Sequence, residues 1–327
     1  MHCMDYLSKI KSPIVSELEA FNRLFESTLS SSNPLLDCVV AHILQRQGKM
    51  MRPVLVLLAA KLYGEVSAAT LHVAASLELL HNASLVHDDV VDESSERRGQ
   101  PSVNALFNNK VAVLSGDYLL ATSLLQVGMT RHLSLVQLVS ALGQDLADGE
   151  LLQLANVSNM DFSEEVYFEV IRKKTAVLFA ACTQAGALSA GASADRVEEA
   201  RLLGEYIGLC FQIKDDIFDY YDSKQIGKPT GNDMMEGKLT LPALYVLRTA
   251  SSDWAQEVAV RIKKGDASAD EISHFIEFVK QQGGIEYATR VMHDYHRRAC
   301  ELLSSHPDTE VRAAMMAYLD YVIERTY

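Results

Sequence analysis

The chain has 327 residues, 48% of them apolar, and its 30 basic side chains against 43 acidic ones leave a formal charge of −13. That balance excludes nucleic acid as the default partner, which requires a basic surface; it leaves room for an anionic small molecule bridged by metal ions. The length admits two domains or one large all-helical domain, and the lack of tandem repeats or low-complexity linkers favours a single domain over 1–327.

The first 30 residues or so read as an N-terminal helical extension. Their opening, MHCMDYLSKIKSP, has no continuous apolar core for a signal peptide. Ser12-Pro13 and Asn33-Pro34 each set a capping side chain before a proline, so a helix is expected to start at both. Further on, Val73, Leu77, Leu80 and Ser84 form one stripe of LHVAASLELLHNASLVH, with Ala74 and Leu85 beside it. Segments 111–129, 133–155, 165–190, 196–222 and 239–250 repeat that period, while ESSERRGQPS (93–102) and SKQIGKPTGND (223–233) read as loops. No alternating strand pattern stands between hairpin turns, so the fold class is all-α. No segment reaches the roughly 20 apolar residues of a membrane span. The cysteines at 3, 38, 182, 210 and 300 are scattered and odd in number, as expected of reduced thiols in a cytoplasmic protein.

The chemistry gathers in LVHDDVVDE (85–93), which places four carboxylates in six residues behind an apolar helix. Asp88 and Asp92 stand one turn apart on one face, with Ser84 and His81 further back along it. Carboxylate oxygens suit Mg²⁺, which commonly bridges to substrate phosphates. A single DDxxD is equally well read as a solvated helix end. FQIKDDIFDY (211–220) repeats the device, with Gln212, Asp215 or Asp216, and Asp219 on one face among Ile213, Ile217 and Phe218. Two such motifs 127 residues apart, facing each other, would make a cage for several Mg²⁺ ions holding a diphosphate. Basic residues accompany them: Lys49 and Arg52, Arg97 and Arg98, Lys173 and Lys174, Lys228 and Lys238. Arginine offers phosphate a bidentate fork and lysine a mobile point charge.

Taken in order, GKMMRP (48–53), HNASLVHDDVVDESSERRGQPS (81–102), GDYLL (116–120), KKTAVLF (173–179), FQIKDDIFDY (211–220) and GKPTGNDMMEGKLTLP (227–242) resemble the trans-polyprenyl diphosphate synthases. The resemblance runs from about residue 30 onward and comes nearest the long-chain octaprenyl and solanesyl synthases. It implies an isoprenoid synthase-type helical bundle around a central cavity, and head-to-tail addition of isopentenyl diphosphate to an allylic diphosphate such as farnesyl diphosphate. On matching positions, Asp88, Asp92 and Asp215 would be the main ligands of a three-Mg²⁺ cluster, with Mn²⁺ as a substitute, and Asp89, Asp216 and Asp219 would support them. Arg97, Lys174, Lys228 and Lys238 would grip the allylic diphosphate, with Thr175 and Gln212 near its hydrocarbon. Lys49, Arg52, His81 and Arg98 would hold isopentenyl diphosphate. The family pattern GGKRxRP is QGKMMRP here, one positive charge fewer.

The same resemblance implies a homodimer and a lipid product that would pass to the membrane. An aromatic four or five residues before the first motif stops growth early in the family; Ala83 and Ser84 stand there in this chain. Two small side chains leave at least one further turn, roughly 5.4 Å, open. The expectation is a C35–C45 product for a quinone tail, with a geranylgeranyl or shorter product as the alternative. Close helix packing explains the small residues as well. Leu79, Leu80, Leu124, Leu125 and Met129 are floor candidates by spacing. A terpene cyclase would lack the second DDxxD, and a non-catalytic prenyltransferase-like subunit would be expected to have lost one of the two.

Overall fold

Serine and asparagine caps set many of the helix boundaries in the computed structural model, which describes residues 2–30, 32–45, 50–97, 99–158, 162–221 and 230–325. In chain order the helices are α1 (His2–Lys11), α2 (Val15–Thr28), α3 (Pro34–Gln45), α4 (Met51–Tyr63), α5 (Ala68–Val91), α6 (Val103–Leu106), α7 (Asn109–Met129), α8 (Leu133–Ser158) and α9 (Glu164–Ile171). There follow α10 (Val177–Ser189), α11 (Ala194–Phe218), α12 (Asn232–Met235), α13 (Leu241–Thr249), α14 (Asp253–Lys264), α15 (Ala269–Gln281), α16 (Gly284–Ser304) and α17 (Glu310–Glu324). The expected helices all form, and among the described residues the only strands are two pairs of residues, β1 (Glu96–Arg97) and β2 (Gln100–Pro101), in an antiparallel hairpin within the expected loop 93–102.

Asn33 caps α3 as its sequence promises, its side-chain oxygen accepting from the Leu35 amide at 3.0 Å. Ser12-Pro13 does something different. The chain is already helical before it, Ser12 donates to the Lys9 carbonyl, and a 3₁₀ turn over Ser12–Ile14 joins α1 to α2. Proline lacks the amide that a continuous helix would need, so it marks a joint rather than a start. Ser67 and Thr70 close a capping box on α5, and Ser268 with Glu271 closes another on α15.

The segment 165–190 is not one regular helix. Between α9 and α10 the backbone opens into a single π turn over Arg172–Ala176. Such turns recur at functional sites because the extra residue redirects side chains.

The described residues sort into two units, with divisions inside α8, α10, α11 and α17 and between α16 and α17. The first takes in those within Met1–Gly143, Leu178–Gly204 and His306–Ala317. Its core is α5, buried on nearly every face, with α4 buried from Pro53 to Ala60. A helix apolar all round belongs in an interior. α5 and α7 run antiparallel and close: Ser76 Oγ donates to the Ser123 carbonyl at 2.9 Å, and Ser123 Oγ returns the bond at 2.8 Å. His72 meets Gln126 at one end of this contact, and the His87 ring lies against Gly116 at the other. His87 is thus a packing residue. α7 is long and apolar enough to span a membrane, but one face carries Ser115, Gly116, Thr122 and Ser123 into this contact.

Gly186 of α10 holds α4 in place by close approach. A Cβ there would stand 2.5 Å from the Val56 carbonyl oxygen, and backbone cannot rotate aside. Overpacking costs about 1–3 kcal/mol, against about 1 kcal/mol gained by alanine over glycine in a helix. Gly186→Ala is therefore expected to be destabilising by up to about 2 kcal/mol, read as a lower urea midpoint at unchanged slope.

The second unit takes in residues within Gln144–Val177, Glu205–Ser305 and Tyr318–Tyr327. There α13 and α16 pack together, with Tyr245 and Tyr287 stacked at 4.1 Å. Tyr287 and Arg248 both bind Glu164 of α9. These contacts fix α9 and the π turn after it.

Candidate active site

The two aspartate motifs end two helices, α5 and α11, each at its C-terminus. A helix C-terminus carries partial negative charge, so acids gathered there are disfavoured by the dipole and by one another. Both ends attract cations by construction.

In the first unit, Asp88 is half-buried in the last turn of α5 and Asp92 is the exposed C-cap. Asp89 pairs with an arginine. It is buried, and its Oδ1 accepts two bonds from Arg97, at 2.8 Å from Nε and 2.5 Å from Nη2. Arg97, expected to grip a phosphate, is likewise taken up by Asp89. Asp89 falls about 100° round the helix from Asp88, which turns it toward the hairpin. Asn104 donates to the Asp89 and Ser94 carbonyls and tightens the same loop. The pair fastens the β1–β2 hairpin behind the motif.

Of the expected isopentenyl diphosphate residues, Arg52 and His81 belong to this unit; Lys49 and Arg98 lie outside the described residues. Arg52 begins α4 with its guanidinium 5.8 Å from the Phe179 ring centre, and among the described residues its buried Nε has no hydrogen-bond partner. His81 is buried on α5, one turn after Glu78, a buried carboxylate that the sequence did not single out. Burial pushes the nearby Cys182 thiol up to about 12; Arg52 lowers it and Glu78 raises it, which puts both charges in reach of one sulfur.

In the second unit, a cavity is lined by Tyr167, Lys174, Thr175, Gln212, Asp216, Asp233, Lys238 and Lys263. The π turn delivers Lys174 and Thr175 to it. Gly149 of α8 allows that turn to approach, since a Cβ would meet the Lys174 amide nitrogen at 2.9 Å. Lys174 Nζ pairs with Glu150 at 2.6 Å, and Lys238 Nζ with Glu236 at 2.5 Å. A chain of hydrogen bonds crosses the cavity wall. Thr175 Oγ1 donates to Gln212 Oε1 at 2.8 Å, Gln212 Nε2 to Asp216 Oδ1 at 2.8 Å, and the Tyr167 hydroxyl to Asp216 Oδ2 at 2.5 Å. Burial and the negative charge of Asp233 push the Asp216 carboxyl well above the usual carboxylate range, against the Tyr167 and Gln212 bonds that lower it.

Asp219 is engaged by backbone. Its two oxygens accept from the amides of Asn232 and Asp233, at 2.9 and 3.2 Å, so it caps α12. That holds Asp233 beside Asp216. Asp215 accepts from Arg325 at 2.6 Å. Lys228 lies outside the described residues. Tyr167, Lys263 and Arg325 were unmarked in the sequence, whereas Asp233 stood in a quoted motif without a role.

The donor chemistry of each unit suits Mg²⁺. In the first, Asp88 and Asp92 offer hard oxygens one turn apart; in the second, Asp215 and Asp233 offer carboxylates at the second motif and its cavity. Among the described residues no three metal-ligating side chains converge on one point; Mg²⁺ is commonly held by one or two carboxylates together with substrate phosphates.

An all-α chain with two aspartate-rich helix ends, and lysines beside one of them, has the make-up of an enzyme that transfers prenyl groups. The chain belongs to the polyprenyl synthetase family, whose model matches residues 33–279. It is 35% identical to heptaprenyl diphosphate synthase component 2 of Geobacillus stearothermophilus, over 98% of this chain and 99% of that one. It is 58% identical to the solved geranylgeranyl pyrophosphate synthase from Bacteroides thetaiotaomicron, at a TM-score of 0.87 over 98% of this chain and all of that one. A polyprenyl synthase from Caulobacter crescentus, solved with calcium and isoprenyl diphosphate, is 30% identical at a TM-score of 0.91 over 98% of each chain.

Proposed function

We propose that this prenyltransferase elongates an allylic diphosphate such as farnesyl diphosphate by successive head-to-tail additions of isopentenyl diphosphate, with Mg²⁺, to a long all-trans chain. The observation that carries the reading is the pair of aspartate motifs at helix C-termini, one of them beside a cavity lined by Lys174 and Lys238. Asp88, Asp92 and Asp215 would hold the metal, which supplies charge neutralisation for the departing diphosphate. Lys174 and Lys238 would share that load at the phosphate oxygens. Asp89 and Asp216 would act behind them, the first holding Arg97 and the hairpin, the second held by Tyr167 and Gln212. Thr175 and Gln212 would turn their oxygens toward the developing allylic cation. Val170, Ile171 and Leu239 give the cavity apolar wall, which keeps water from the cation. Arg52 and His81 would hold isopentenyl diphosphate.

The length of the product rests on Ser84 more than on Ala83. Ser84 is half-buried on the Asp88 face of α5, its hydroxyl bonded to the His81 carbonyl at 2.9 Å. Ala83 is 2% exposed on the stripe that carries Ser76 and His87 against α7, so close helix packing accounts for its size. Leu79 and Leu80 remain interior. Leu124, Leu125 and Met129 do not: they are 49%, 69% and 63% exposed, on the outer side of α7. Spacing identified that stripe but not the side it faces. A C35–C45 product, suited to a quinone tail, is the first reading. The 58% relative named as a geranylgeranyl synthase favours C20 as the second. The test is to give the protein farnesyl diphosphate, excess isopentenyl diphosphate and Mg²⁺, with an EDTA control, and to size the products by mass spectrometry. A metal-dependent ladder ending at C35–C45 supports the first reading and arrest at C20 the second. Absence of elongation by folded protein sinks both.

The outer stripe of α7 suits a second copy of the chain. Leu114, Leu125 and Met129 are all more than half exposed over about four turns, and a homodimer would cover them. Leu125→Glu is expected to shift the mass measured by light scattering from two chains to one, with helicity unchanged. A monomeric wild type would contradict the proposal.

A further inference from the structure

A residue in close contact with the second aspartate motif lies outside every quoted motif, just past α17. Arg325 Nη2 donates to Asp215 Oδ1 at 2.6 Å and to the Phe211 carbonyl at 2.9 Å. Its guanidinium lies 4.0 Å from the centre of the Phe211 ring and 5.5 Å from that of Phe218. The arginine side chain is 10% exposed and the Asp215 side chain 40%. Phe211, Asp215 and Phe218 stand four and three residues apart, so they share one face of α11. The two phenylalanines of FQIKDDIFDY thus form a shelf on which the guanidinium rests edge-on to the carboxylate. A cation seated on ring faces and shielded from water is held firmly.

The arginine engages Asp215 through Oδ1. A carboxylate anchored by an outer partner is held at a fixed angle, which is how such partners orient metal ligands. We propose that Arg325 is a positioning residue for metal binding at the second aspartate motif, holding the Asp215 carboxylate in the orientation in which it would take a cation. This deepens the reading of Asp215 as a metal ligand and rests on it. The plain alternative is a helix-end cap: Arg325 Nε donates to the Val322 carbonyl at 3.2 Å. A cap would affect stability and leave metal affinity alone. A third role, competition with the metal for Asp215, predicts the opposite sign, because removing the arginine would then tighten metal binding.

The experiment measures Mg²⁺ binding by calorimetry on the full chain in the presence of inorganic diphosphate, beside the Mg²⁺ dependence of product formation. Arg325→Gln is expected to weaken Mg²⁺ binding about tenfold and to raise the Mg²⁺ needed for half-maximal turnover by a similar factor. The KM for isopentenyl diphosphate should stay within twofold. Arg325→Lys, with one ammonium that reaches Asp215 or the Phe211 carbonyl but lacks the stacked plane, is expected to fall between the two. Unchanged or tighter Mg²⁺ binding in Arg325→Gln overturns the proposal. Should that variant lose helicity, Arg325→Lys decides it alone, and wild-type affinity there overturns it. Asp215→Ala separates the two levels: if it binds Mg²⁺ like wild type, the metal-ligand reading itself fails. If it binds weakly while Arg325→Gln does not, only the positioning role fails.

Discussion

Asp88→Ala is expected to lower turnover by at least about 10²–10³-fold, the range seen when one group stabilising developing charge is removed. Far-UV circular dichroism should not change, because Asp88 is a half-buried residue of the last turn and not one of the buried residues that build the α5 core. Asp89→Asn should behave in the reverse way. It breaks the pair with Arg97, loosens the hairpin and destabilises the fold, with a smaller effect on chemistry. Equal activity losses without stability differences would dismiss the division of labour between the two neighbours. EDTA should silence the wild type, and added Mg²⁺ should restore it.

The second large effect concerns product size, and it separates two residues that the sequence treats alike. Ser84→Phe puts a ring on the Asp88 face of α5 and removes about one turn, roughly 5.4 Å, of depth below the reacting end. Products should stop at C20 or shorter, with the first condensation retained. Ala83→Phe meets α7 instead, where Ser76, Ser123, Gly116 and His87 already fill the contact. Overpacking of that kind costs about 1–3 kcal/mol, so this variant should unfold at lower denaturant and show little specific change in product length. A full-length product from folded Ser84→Phe would remove Ser84 from the channel.

The helices were legible because their apolar residues recur at 3.6-residue spacing, and the aspartate motifs because two of them stand out against an acidic but otherwise apolar chain. The rest depended on the third dimension. Spacing gave Leu124, Leu125 and Met129 a common stripe but not its side, since α7 is apolar on both. That Asp89 and Arg97 answer each other could not be seen from their spacing. Asp219 carries the motif letter, yet its oxygens serve the amides of Asn232 and Asp233, whose approach no local pattern announces. Tyr167 and Arg325 reach the second motif from 49 and 110 residues away. Ser12-Pro13 misled because a proline after a serine is the same text at a helix start and at a joint between two helices.

The π turn has a consequence for how this site tolerates change in length. Over Arg172–Ala176 the backbone holds one residue more than a regular helix along the same path would need. Deleting a single residue there would let α9 run into α10 without a break, so the chain should still fold. The side chains on either side would keep their register, because the π turn already absorbs the extra residue. Within the turn, Lys174 and Thr175 could no longer both face the cavity that Tyr167 enters from α9. The surplus residue works as a spacer that lets two consecutive side chains face one cavity, and shortening the chain at this point would close that option while leaving the scaffold standing.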